Sequence, residues 1–167
     1  MRTRWLGLIA VGVITLVAGA ESATTGNLAP ESHDSEFQAF LKKINEAQIE
    51  FVQGRPAPFK ALWSHGPDVT IFGGFGSGEQ GWDKVGPRLD WASAQFLEGS
   101  RSHEVLSTHA SGDFGYVVQR EKIRFKTPGR SKASLLELRA TMIMRREPEG
   151  WRIVHRHADS QITKQAP

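Results

Sequence analysis

The residues of this chain best equipped for chemistry lie near its end, in the run Trp151-Arg152-Ile153-Val154-His155-Arg156-His157-Ala158-Asp159-Ser160. Side chains of a strand alternate between its faces. A regular extended segment here therefore puts Trp151, Ile153, His155, His157 and Asp159 on one side and Arg152, Val154, Arg156 and Ala158 on the other. The first set passes from apolar to titratable, as in a pocket wall that is greasy at its floor and polar toward its mouth. Imidazole is the usual acid/base side chain, so His155 and His157 are the candidate acid/base groups, with Glu121 or Asp159 to orient them. Two histidines at this spacing also share a face as zinc ligands would. A zinc site needs further ligands, however, and His65, His103 and His109 stand at no diagnostic spacing, so no metal is expected.

Polar residues of two preceding strand-like segments join the candidate site. Arg139, Thr141 and Ile143 share one face and Leu138, Ala140, Met142 and Met144 the other; Gly115, Val117, Gln119 and Glu121 oppose Phe114, Tyr116, Val118 and Arg120. Periodicity alone leaves the inward face open. If Arg139 and Thr141 face a cavity, the guanidinium needs a buried partner, and Glu121 on the adjacent strand is the natural one; the other reading is a solvent-exposed cross-strand pair. Trp63, Trp82 and Trp91 lie on predicted helical elements and either roof a pocket or fill a core. The stretch Gly76-x-Gly78-x-x-Gly81 resembles a dinucleotide fingerprint only on the surface. Trp82 occupies the place where close helix packing requires a small residue, and no βαβ unit follows, so the stretch is expected to be a mobile rim loop and no cofactor is expected. There is no G-x-S-x-G, no H-E-x-x-H and no cysteine.

These groups need elements to hold them. Phe37, Phe40, Leu41, Ile44, Ala47 and Phe51 recur at three- and four-residue steps and predict a first helix that stops at Gly54. Pro56 and Pro58 open a shorter helix carrying Phe59, Leu62 and Trp63, followed by a short strand at Val69 to Phe72. A third helix is predicted from Trp82 to Phe96, bent or restarted at Gly86-Pro87. Beyond Gly99 the period becomes two, and four strands follow at about 102–110, 114–125, 134–147 and 151–162, joined by short turn-rich links that favour antiparallel pairing. Helices ahead of an antiparallel run predict an α+β domain with one sheet face covered.

The start of the chain has the order of a secretory leader: Arg2 and Arg4, an apolar run from Trp5 to Val17, and Ala18-Gly19-Ala20 as a cleavage site. The apolar run falls short of the roughly 20 residues that span a bilayer. Residues 1–20 are expected to be removed, leaving about 147 residues that are secreted or periplasmic and not held in a membrane. Residues 21–35 then form a flexible lead-in and 36–163 one domain. Loss of Arg2 and Arg4 lowers the formal charge from +3 to +1, too little to suggest nucleic-acid binding.

In this order the patterns resemble the SnoaL-like branch of the nuclear transport factor 2 (NTF2)-like and ketosteroid isomerase-like superfamily. They are Trp63-Ser-x-x-Pro67-Asp68-Val-Thr ahead of a glycine-rich stretch, Gly81-Trp82 opening a helix, Gly112-Asp113 before a strand with Glu121, Leu138-Arg139-x-Thr141, and Trp151-Arg-Ile-Val-His155-x-His157. The ending, after Arg145-Arg146, also resembles the association domain of calmodulin-dependent protein kinases. The resemblance implies a cone-shaped roll, three N-terminal helices packed on a curved, mostly antiparallel sheet that encloses one pocket. It also implies a homodimer through the outer sheet face and an inward Arg139 and Thr141 beside Glu121 and the histidines. Ketosteroid isomerases use an aspartate base at the end of the first strand and a tyrosine on the first helix; Phe72 or Gly73 and about Ala47 stand there in this chain. The expected function is therefore binding of a small carboxylate-bearing or polar-headed apolar ligand through Trp63, Trp82, Glu121, Arg139, Thr141, His155, His157 and Asp159. The alternatives are an acid/base isomerase, cyclase or dehydratase using His155 or His157, and an oligomerising association domain. Leu138, Ala140, Met142 and Met144 are the expected apolar strip of the dimer face.

Overall fold

The apolar stripe of the first predicted helix is realised in α1 (Ala29–Phe51), which buries Phe37, Phe40, Ile44 and Ala47 and adds the polar Gln48 to the same face. The computed structural model describes residues 29–160; the expected leader and the first part of the lead-in lie outside them, and α1 begins within the expected lead-in. Pro56 starts the single turn of α2 (Ala57–Lys60), which buries Phe59. Strand β1 (Thr70–Gly73) turns through Gly76, at φ 72°, into β2 (Ser77–Gln80). The glycine-rich stretch is thus the tip of a hairpin instead of an open rim loop, with Phe72 opposite Gly78. Helix α3 (Trp82–Ser93) runs unbroken through Pro87 and buries Val85 and Leu89.

Strands β3 (Leu97–Ser111), β4 (Phe114–Lys126), β5 (Ser134–Glu147) and β6 (Gly150–Ser160) complete one six-stranded sheet in the order β2-β1-β6-β5-β4-β3. β1 runs parallel to β6 and all other neighbours are antiparallel. This is the α+β architecture expected from the sequence.

The faces differ from expectation, for two physical reasons. On β5 the buried set is Leu138, Ala140, Met142 and Met144; Met142 and Met144 pack with Phe37, Trp151 and Ile153, and Leu138 and Ala140 with Val52, Phe96 and Ile123. Burial of that apolar row outweighs everything the alternate row offers, because each large side chain removed from water contributes roughly 1.5 to 3 kcal/mol. The row expected at a dimer interface is therefore core, and Arg139, Thr141 and Ile143 face outward. On β6 the register with β5 slips between Ile143–His155 and Met144–Ile153, so Val154 is an extra, bulged residue. The bulge sits where β6 changes partner. Ile153 exchanges backbone hydrogen bonds with Leu62 and Ser64, while from His155 onward β6 pairs with β1. Alternation restarts there: Trp151 and Ile153 point inward, and beyond the bulge Arg156 and Ala158 do.

Candidate functional site

Three strands send charge into the interior. Glu121, 1% exposed, projects inward from β4. Arg156, turned inward by the bulge, donates through Nη1 to its Oε1 at 3.0 Å and through Nη2 to its Oε2 at 2.9 Å. Gln119 Nε2 donates to Oε1 at 2.6 Å. From β3, Arg101, with a side chain 2% exposed, brings Nη2 to 3.4 Å from Oε1, close enough for an ion pair but without the alignment of a hydrogen bond. Burial alone would push the Glu121 carboxyl up; Arg156 and Arg101 overcome this and hold it down at about 2. The cluster is therefore one carboxylate between two guanidiniums, with a net charge of +1.

These groups form the buried end of a cavity whose envelope, open mouth included, measures about 620 Å³. Phe51, Phe59, Ile71, Phe96, Ile123 and Leu138 make its wall, while Phe75 of the hairpin and Arg88 of α3 belong to its less buried part. Arg88 lies over the Trp91 ring at 4.0 Å and reaches the Gly76 carbonyl. The largely apolar lining suits a small organic ligand. Arg101 is only partly satisfied. Its Nη1 donates to Asn45 Oδ1 at 2.7 Å, but among the described residues Nε and Nη2 have no hydrogen-bond acceptor and the buried Gln48 Oε1 has no donor.

The site anticipated from sequence is split between two faces of the sheet. Of the residues expected to bind ligand, Glu121 lines the cavity. Arg139 and Asp159 pair with each other on the outer face, Nη2 to Oδ2 at 2.6 Å and Nε to Oδ1 at 3.2 Å, with about half of the Arg139 side chain exposed. Arg139 stands across from Arg120 and not from Glu121, so the inward Arg139–Glu121 pair is replaced by Arg156–Glu121. Thr141 lies opposite His157 on that outer face. His155 accepts or donates through Nδ1 to Thr70 Oγ1 at 2.7 Å, and the Phe72 ring sits edge-on to His155 at 5.8 Å and His157 at 5.4 Å. Burial, and then His157, push the His155 pKa down. Neither histidine reaches Glu121, which points to the other side of the sheet. Trp63 is core, edge-on to Phe59, and Trp82 stacks on His65 at 4.0 Å; the cavity takes its aromatic wall from phenylalanines. Arg101, Arg156 and Gln48 were not anticipated. The signal for Gln48 was present, as a polar residue in the buried stripe of α1. The signal for Arg101 and Arg156 depends on register.

An open, curved six-stranded sheet with helices on one face and a polar cluster inside defines the NTF2-like class. The profile of the SnoaL-like domain family matches residues 39–162, and the chain belongs to that family. Its fold is similar to that of an NTF2-like superfamily protein from Salmonella enterica serovar Typhimurium (TM-score 0.67, 17% identity, covering 79% of this chain and 95% of that one). It is also similar to a ketosteroid isomerase-like protein from Erwinia carotovora (TM-score 0.59, 13% identity, 83% and 100%) and to an NTF2-like protein of unknown function from Shewanella oneidensis (TM-score 0.56, 14% identity, 76% and 98%). At these identities the likeness is one of fold. No curated protein is similar enough in sequence to count as a relative.

Proposed function

We propose that the protein binds a small apolar molecule carrying one anionic head group, a carboxylate, and does so without turning it over. The observation that carries this reading is the charge imbalance at the buried end of an apolar cavity: two guanidiniums against one carboxylate. A net positive charge out of water is costly and favours an anion that neutralises it. The Nε–Nη2 edge of Arg101 makes no hydrogen bond among the described residues, although Nη2 lies 3.4 Å from Glu121 Oε1, and such an edge can receive both oxygens of a carboxylate. The apolar wall takes the rest of the molecule. Glu121 has no proton to give, since it stays ionised and already accepts three hydrogen bonds, and the lining of this cavity includes no histidine. Acid/base catalysis through His155 or His157 has no support from their place on the outer face.

Calorimetric titration with short aromatic and aliphatic carboxylates tests the reading. Binding by the parent protein and a loss of at least about tenfold in Arg101→Met is expected. The same acids binding equally to the variant, or their uncharged amides binding as well as the acids, would overturn it.

Two further parts of the reading concern assembly and location. Phe72, Tyr116 and Ile143 expose more than a third of their surface on the outer sheet face, where Tyr116, Ile143 and His155 form a continuous cross-strand row. Such a patch favours a homodimer meeting through that face, and light scattering at tens of micromolar that returned the monomer mass would refute it. The leader-like order of residues 1–20 supports export; N-terminal sequencing of protein from its own host that returned Met1 would refute that.

A further inference from the structure

Gln48 stands beside Arg101 at a boundary within the fold. Both line the main cavity, and both also line a smaller one between α1 and β3, whose envelope, open solvent included, measures about 280 Å³ and whose wall includes Asn45 and His103. The boundary between the cavities therefore consists of polar side chains, each nearly out of water. Gln48 is 4% exposed and its Oε1 has no donor; Arg101 offers Nε and Nη2 with no acceptor. An unpaired buried polar atom is unfavourable by more than a formed hydrogen bond is favourable, so such atoms rarely persist unless something completes them. A single head group that combines acceptor oxygens for the guanidinium edge with a donor for the amide oxygen would complete the whole set.

From this we infer that the ligand is a carboxylic acid with a hydrogen-bond donor on the adjacent carbon, a hydroxy acid, an inference that rests on the anion-binding reading above. The carboxylate lies along the Nε–Nη2 edge of Arg101 and the neighbouring hydroxyl donates to Gln48 Oε1. An unsubstituted acid satisfies Arg101 and leaves the amide oxygen unpaired. A keto acid sets a second acceptor against it and is disfavoured further. This kind of discrimination is strong because the penalty falls on a buried group of the site. The apolar body lies in the main cavity, along Phe51, Phe59 and Phe96.

Three acids that share one body, phenyllactate, phenylpyruvate and phenylpropionate, separate the possibilities by calorimetry. Phenyllactate should bind the parent protein at least about tenfold more tightly than phenylpropionate, with phenylpyruvate weakest. In Gln48→Met, of similar volume and without the acceptor, the preference should fall below about threefold while phenylpropionate affinity holds. Equal binding of the three acids by the parent protein would overturn the inference and leave the anion-binding reading intact. A preference for phenylpyruvate would overturn it by showing that the amide presents its NH2 to the ligand. A hydroxyl preference that survives in Gln48→Met would overturn the role of Gln48. Failure of all three acids to bind would overturn the anion-binding reading, and this inference with it. The parent protein alone decides between hydroxyl and no hydroxyl, so the test does not depend on how well the variant folds.

Discussion

Replacing Glu121 with glutamine tests whether the buried cluster carries the energy its geometry implies. The side chain keeps its size and one acceptor oxygen, but Arg101 and Arg156 lose the carboxylate that balances them. The shift of the carboxyl from 4.5 to about 2, at about 1.4 kcal/mol per unit, makes ionised Glu121 worth about 3 kcal/mol to the folded state. Removing one partner of a buried charged set costs roughly 3 to 5 kcal/mol by comparison with other proteins. The two estimates meet at about 3 kcal/mol. Because the folded pKa is depressed, this contribution is complete above about pH 4.5 and is lost as pH falls through about 2. Urea unfolding followed by tryptophan fluorescence at pH 7 should show Glu121→Gln less stable by about 3 kcal/mol. The gap between parent and variant should narrow between pH 4.5 and 2, a comparison that cancels the surface carboxylates. A phenyllactate-like anion should narrow it too, by restoring negative charge beside the arginines. A variant within about 1 kcal/mol of the parent at pH 7 would refute the reasoning, since uncompensated buried guanidiniums cannot be that inexpensive.

Two other substitutions check the placement of the faces. Arg139→Ala breaks an ion pair whose side chains are about half exposed, and should lower stability by about 1 kcal/mol or less in the same urea assay; a loss comparable to that of Glu121→Gln would put Arg139 inside after all. Gly99 has no room for a methyl group, since a Cβ there would lie 1.7 Å from the carbonyl oxygen of Val52. Gly99→Ala should therefore cost about 3 kcal/mol or more by forcing β3 away from the end of α1, and a melting temperature equal to that of the parent would show that this contact is absent.

Much of the architecture was legible in the sequence because it depends on local period. The stripe of α1, the change to period two beyond Gly99 and the short links between strands each specify an element without reference to distant parts of the chain. The inward face of β5 was left open by period two; the structure settles it by burying the apolar row Leu138, Ala140, Met142 and Met144. The resemblance to a family placed Arg139 inside instead, and the hydrophobic row outweighs it. What could not be read from period two is the bulge. Trp151 and His155 share a face in any regular strand, and only the change of partner from Leu62–Ser64 to β1 reveals that the strand does not stay regular. One inserted residue moves two histidines and an aspartate from the cavity to the outer face and brings Arg156 in.

The bulge at Val154 should make β6 unusually tolerant of losing one residue. Loss of one residue from a regular strand reverses every side chain beyond it and should abolish folding. Loss of Val154 should not. Ile153 would be followed directly by His155, and because Ile153 pairs with Met144 and His155 with Ile143, the ladder to β5 would become regular with Arg156 still inward. The cost falls on the other edge, where β6 must reach both Ser64 and Thr70 with one residue fewer; a loss of about 2 kcal/mol, within the range of ordinary destabilising substitutions, is expected. The deleted chain should unfold cooperatively in urea and still depend on Glu121, so that adding Glu121→Gln lowers its stability by about as much as in the parent. Deletion of Val118, where the ladder of β4 to β5 is regular opposite Thr141 and the extra residue lies on β3 instead, between Val105 and Ser107, is the control and should yield no folded protein, because it would turn Glu121 outward. If the Val154 deletion fails to fold as completely as the Val118 deletion while Val154→Ala folds normally, then the bulge is required by the span to Leu62–Ser64. In that case the inward position of Arg156 depends on both edges of β6 and not on the ladder to β5 alone.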